Sequence, residues 1–110
     1  MPSYDLKSMA AKSPAEGVEI RVIPGKNMTV VFFSLAPGAV VPEHSHPHEQ
    51  IGTILKGSIE LTIAGEKKLY VPGQAWHIPG DVVHSGQNQD APAEVIEVFS
   101  PAREDLTYEK

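Results

Sequence analysis

Proline and glycine interrupt this chain so often that a long helix finds no room in its central part. "IPG" at 23–25, "APG" at 36–38, Gly57, "AG" at 64–65, "VPG" at 71–73 and "IPG" at 78–80 each stop a short apolar run. Proline has no amide proton to donate and glycine loses the most backbone entropy on ordering, so both punctuate regular structure. The segments between them are rich in β-branched and aromatic residues: "EIRVI", "MTVVFFSLA", "QIGTILKG", "SIELTIAG", "KKLYV", "QAWHI" and "EVIEVF". Short strands with frequent turn signals imply an all-β fold, either an antiparallel sandwich or a small barrel. In "LKGSIELTIAGEK" two strands meet near Gly57, with Ile59, Leu61 and Ile63 on one face and Glu60 and Thr62 on the other. Helix is expected only after residue 100. There Ser100 suits an N-cap and Pro101 the first helical position of a short C-terminal turn.

The 110 residues are read as one domain, 1–110, with an N-terminal arm over 1–17 and a C-terminal tail over 100–110. A net charge of −5, with nine Lys and Arg, gives no electrostatic footprint for nucleic acid or an anionic membrane. An anionic substrate would need a local positive centre, such as a divalent metal with one or two placed arginines. The absence of cysteine excludes disulfides, thiolate ligands and thiol nucleophiles, and fits a cytoplasmic protein. "MPSYDLKSMAAKSPAEG" has no continuous apolar region and so no secretory signal is expected, while "MTVVFFSLA" is too short to cross a bilayer.

Three of the five histidines lie within "HSHPHEQ", residues 44–50. Side chains at i and i+2 share a strand face, so His44 and His46 can reach one metal. Pro47 implies an edge or a bend, after which His48 need not follow its neighbours. His77 stands between Trp76 and Ile78 and faces away from that apolar pair, in pocket or solvent.

The spacing carries a resemblance. Gly38, His44, His46, Gln50 and Gly57 are arranged as in the first cupin motif, with Gln50 where Glu is usual. Gly73, Pro79, Asp81, His84 and Asn88 resemble the second motif, with Asp81 in place of a glycine. The two motifs span 38–88, and fifteen residues separate them. The resemblance implies a small double-stranded β-helix (a jelly-roll, RmlC-like barrel), often dimeric, around one divalent metal ion. His44, His46, Gln50 and His84 would be its ligands. Three imidazoles and an amide oxygen suit Zn, Ni, Fe or Mn. A Gln ligand leaves the 2+ charge uncompensated, which exchanges binding strength for Lewis acidity. Parity favours Gln50 over Glu49, with Glu49 a solvated carboxylate outside the barrel and His48 a residue of the pocket wall or one behind the ligands.

A narrower resemblance extends into the tail. "HSHPHEQ", "VVHSG" and "EVFSPAREDL" are similar, in order and spacing, to the pectin-degradation cupins of the KdgF family. That family converts 4,5-unsaturated uronates to linear 4-deoxy-5-keto sugar acids. Its acidic residue, phenylalanine and arginine match Glu97, Phe99 and Arg103, with Glu97 where the family usually has Asp. The resemblance implies that Glu97 acts as general acid/base and that Arg103 pairs with the substrate carboxylate. Parity agrees in part: Val95, Glu97 and Phe99 share a face, and Ile96 and Val98 share the other. The expected partners are a small sugar acid and a second copy of the chain, with no nucleic acid or membrane. Two alternatives stand beside this reading: a metal-dependent cupin dioxygenase, and a non-catalytic sugar-acid-binding cupin.

Overall fold

The computed structural model describes residues 3–106. It is built almost entirely of antiparallel strands: β1 (Lys12–Ala15), β2 (Val18–Pro24), β3 (Thr29–Leu35), β4 (Val40–His44), β5 (Glu49–Lys56), β6 (Ile59–Ile63), β7 (Glu66–Tyr70), β8 (Ala75–Ile78), β9 (His84–Asn88) and β10 (Ala93–Ser100). They form a six-stranded sheet, ordered β1-β2-β3-β10-β5-β8, and a four-stranded sheet, ordered β4-β9-β6-β7. This is the jelly-roll barrel that the motif resemblance implies, where the turn spacing alone left a sandwich or a small barrel open.

The core lies between the two inner faces. Val18, Ile20 and Val22 of β2, Val31 and Leu35 of β3, Ile59 and Leu61 of β6, and Val95 and Phe99 of β10 are all buried. Removing each such side chain from water contributes about 1.5–3 kcal/mol. On β10 the inward set is Ala93, Val95, Glu97 and Phe99, so the alternation places one carboxylate in an otherwise apolar row. The opposite face of the same sheet stays apolar yet open, with Ile51 and Leu55 more than half exposed.

Some local expectations hold and others are corrected. Two strands do meet near Gly57, and because they belong to different sheets this residue is a crossover. Its φ of +78° and the Pro92 carbonyl, 2.4 Å from where a Cβ would sit, both demand glycine. The C-terminal turn starts at Glu104, not after Ser100. Ser100 is the last residue of β10, paired with Glu49, and its hydroxyl donates to the Asn27 carbonyl instead of capping. A 3-10 turn also occurs early, at Leu6–Ser8, where the Asp5 carboxylate accepts from the Lys7 amide. The N-terminal arm is therefore partly ordered, since β1 within it pairs with β2. Residues 1–2 and 107–110 of the arm and tail lie outside the described residues. Among the described residues no helix is long and apolar enough to cross a membrane.

Candidate metal centre and cavity

β4 ends on His44 where β9 begins on His84, and the two residues are cross-strand partners. His46 follows in the bend that Pro47 shapes before β5. Nitrogens from these three rings all lie within 4.8 Å of one another. Each ring is fixed at Nδ1 by a main-chain carbonyl: His44 by Pro42 at 2.7 Å, His46 by His48 at 3.0 Å and His84 by Val82 at 2.8 Å. A carbonyl can only accept, so Nδ1 carries the proton and Nε2 keeps its lone pair. The Nε2 atoms of His46 and His84 are buried without a partner. Unsatisfied nitrogens on anchored rings are what a bound divalent cation would satisfy, so the residues present fit a metal.

Two of the rings, His46 and His84, also resist protonation. His46 is lowered to about 4, chiefly by burial, then by the Arg103 guanidinium and the other two imidazoles. His84 is lowered too, again mainly by burial. Neutral imidazoles at ordinary pH are the metal-binding form.

Gln50, on β5, is buried beside them. Its Nε2 donates to Oε2 of Glu97 at 2.6 Å, which turns Oε1 outward from that bond, buried and without a partner. Facing a carboxylate fixes which end of the amide is nitrogen. The amide oxygen is thus free for a cation, as the sequence pattern implies for this position.

Glu97 accepts a second hydrogen bond at the same Oε2, from the Trp76 indole at 2.8 Å. Burial pushes its carboxyl above the ordinary glutamate range, while the two donors and the nearby positive groups pull it partly back. Gly52 lies between them in the sheet: the register runs Glu97, Gly52, Trp76 across β10, β5 and β8. A Cβ at residue 52 would come within 2.6 Å of both Glu97 Cγ and Trp76 Nε1.

Arg103 reaches the same region from the tail. Its amide donates to the Thr29 hydroxyl, and its guanidinium lies 4.9 Å from the centre of the Phe99 ring. Nε and Nη2 donate to the Asp105 carboxylate at 3.3 and 2.7 Å, which occupies one edge of the fork. Phe99 in turn packs against His46, with centroids 5.7 Å apart.

A cavity of about 130 Å³ connects these groups. Its polar wall is His44, Gln50, His84, Ser85, Glu97 and Arg103, and the rest is apolar, including Trp76 and Phe99. Of the residues singled out from the sequence, His44, Gln50, His84, Glu97, Phe99 and Arg103 line this cavity, and His46 joins them through its cluster with His44 and His84. His48 contributes its carbonyl to His46, and its own Nδ1 is buried without a partner. Glu49 and His77 form an exposed pair on the outside, 2.5 Å apart. Sequence reasoning passed over Trp76, Gly52 and Asp105. A glycine inside an apolar strand signals a close approach, and that signal was present at Gly52.

Comparison with known proteins agrees with this geometry. A family model described as "Cupin domain" matches residues 31–99. The HTH-type transcriptional regulator PuuR of Escherichia coli is 33% identical over 82 residues, covering 70% of this chain. The chain spans only 44% of that regulator's length. The pectin degradation protein KdgF of Dickeya dadantii is 29% identical over 93 residues, covering 83% of this chain and 84% of that protein. The solved structure of KdgF from Halomonas sp. superposes with a TM-score of 0.89 at 26% identity, covering 97% of this chain and all of that one. An RmlC-like cupin from Shewanella frigidimarina superposes with a TM-score of 0.86 at 22% identity, covering 92% and 91% of the two chains.

Proposed function

The chain belongs to the cupin domain family and is KdgF-like within it, and from that premise we propose that it is a metal-dependent enzyme of uronate breakdown. The reaction is conversion of a 4,5-unsaturated uronate to a linear 4-deoxy-5-keto sugar acid. The observation that carries this reading is the meeting of a buried carboxylic acid, Glu97, and a guanidinium, Arg103, on one cavity beside three clustered imidazoles, two of them with buried, unpartnered Nε2 atoms.

The substrate is an enol ether conjugated to a carboxylate. Proton delivery to C4 and addition of water at C5 give a hemiketal. Its ring opens to the 5-ketone, and the water is returned when the hydrated aldehyde at C1 collapses, so the net change is an isomerisation. His44, His46, His84 and the Gln50 amide oxygen would hold one divalent ion, whose Lewis acidity would polarise the sugar oxygens. Glu97 gives and takes the proton. Its burial favours the protonated carboxyl that the first step needs. Arg103 binds the substrate carboxylate through the fork edge that Asp105 leaves free. Phe99 forms the apolar floor that holds the planar part of the ring.

The deciding experiment follows the ultraviolet absorbance of an unsaturated uronate mixed with the metal-loaded protein. Loss of absorbance that requires both Glu97 and Arg103 supports the reading, and a persistent signal with the wild-type protein refutes it. The match to a transcriptional regulator favours one second reading, a sugar-acid-binding module without turnover. Saturable uronate binding with no spectral change would select it. Oxygen consumption under the same conditions would select a dioxygenase instead.

A further inference from the structure

Most cross-strand rows in a sheet place three side chains shoulder to shoulder. Here one row has a gap at its centre. Glu97, Gly52 and Trp76 are register partners on three adjacent strands, and glycine supplies no side chain between the outer two. The indole therefore leans across and donates to Oε2 of Glu97 at 2.8 Å. Gln50 donates to the same oxygen from the next row, at 2.6 Å. Two donors on Oε2 leave Oε1 without a hydrogen bond among the described residues. Oε1 is also absent from the polar atoms sealed away from solvent, and Glu97 lines the cavity.

We propose that Trp76 is a positioning residue for Glu97, admitted by the gap at Gly52, and that it reserves Oε1 as the oxygen that exchanges the proton with substrate. The proposal rests on the reading of Glu97 as acid/base and adds which atom acts and what holds it. A carboxylate fixed at one oxygen by two donors cannot rotate about its last bond without breaking both. The acting oxygen is then pre-oriented, and proton transfer in a packed site is sensitive to such orientation. It also gives the longer glutamate a definite position. Its extra methylene occupies the space over Gly52, where a Cβ would lie 2.6 Å from Glu97 Cγ.

The test uses the full chain, loaded with metal for kinetics and metal-free for spectroscopy. Trp76→Phe keeps an aromatic ring against Tyr70, 5.1 Å away, and removes only the donor and part of the volume. Its kcat on the unsaturated uronate should fall by up to about tenfold, the equivalent of one hydrogen bond. KM and metal stoichiometry should change less than about twofold. The protein has one tryptophan, so its indole N–H gives a single resonance in a ¹⁵N-labelled sample. That resonance should exchange slowly with solvent, and in Glu97→Leu it should move upfield and exchange faster. Activity lost in Glu97→Gln but intact in folded Trp76→Phe overturns the positioning role alone. Equal turnover by wild type and Glu97→Gln overturns the acid/base reading beneath it. An indole resonance unmoved in Glu97→Leu overturns the hydrogen bond on which the proposal stands, whatever the activity.

Discussion

Gln50→Glu restores the residue that the first cupin motif usually carries, and the structure shows why the change is not a simple gain of ligand charge. The Gln50 amide nitrogen lies 2.6 Å from Oε2 of Glu97, and the two residues are 3% and 8% exposed. Replacing that donor with an oxygen sets two carboxylates at hydrogen-bond distance away from water. Charges about 4 Å apart at an effective dielectric near 20 repel by about 4 kcal/mol. That corresponds to roughly a thousandfold in proton affinity, so the metal-free variant retains one shared proton at neutral pH. A metal entering the variant must expel this proton, whereas the wild-type amide has none to lose. Affinity of the variant should therefore rise by up to about tenfold per pH unit between about pH 6 and pH 8. The wild-type profile should be much flatter over the same interval. Competition against a chromophoric chelator measures both. Parallel profiles would refute the contact geometry. Where the variant is loaded it should hold metal more tightly and turn over more slowly, and equal or higher turnover would refute the argument from Lewis acidity.

Three further outcomes are expected. His46 is held at about 4 against an ordinary 6.5, so as pH falls through this window the unfolded chain takes up the proton first. The metal-free protein should lose stability from about pH 6.5 to about pH 4, and His46→Asn should flatten that part of a Tm-against-pH curve. Arg103→Ala should raise KM for an unsaturated uronate by about 10- to 100-fold, from loss of a charge-assisted contact. Asp105→Asn should raise it only a few-fold, because that carboxylate is 57% exposed and its pair is screened by solvent. Gly52→Ala forces a Cβ to within 2.6 Å of Trp76 and Glu97. It should cost about 1–3 kcal/mol, read as a fall in Tm of roughly 5–15 °C by circular dichroism.

The strands that build the core were legible because β-branched and aromatic residues alternate along them, as in "EVIEVF" and "SIELTI". β4 and β9 were not. "VVPEH" is mostly exposed, and "HSGQN" spends its inward positions on His84, Gly86 and Asn88 rather than on aliphatic side chains. The strands that carry His44 and His84 were thus hidden from a reading of aliphatic alternation by the residues that make them useful, and His46 lies outside any strand. The Trp76–Glu97 bond joins residues 21 apart in the chain, and neither periodicity nor propensity reports which rows meet across a third strand. The tail illustrates a different limit. Ser100 and Pro101 match a helix start locally, but pairing of Ser100 with Glu49 keeps the chain in the sheet for longer. Tertiary register overrode a local preference there.

The three imidazoles take their orientation from the carbonyls of Pro42, His48 and Val82, all of them main-chain atoms. A backbone acceptor survives replacement of the side chain that carries it. Substitution along the cavity wall can therefore alter which molecule fits while leaving ring tautomers and lone pairs undisturbed. In engineering terms the centre behaves as a fixed socket inside an exchangeable lining. Libraries confined to the apolar wall, at Ile20, Leu35, Val41 or Val95, should keep metal occupancy across most of their members and vary chiefly in substrate.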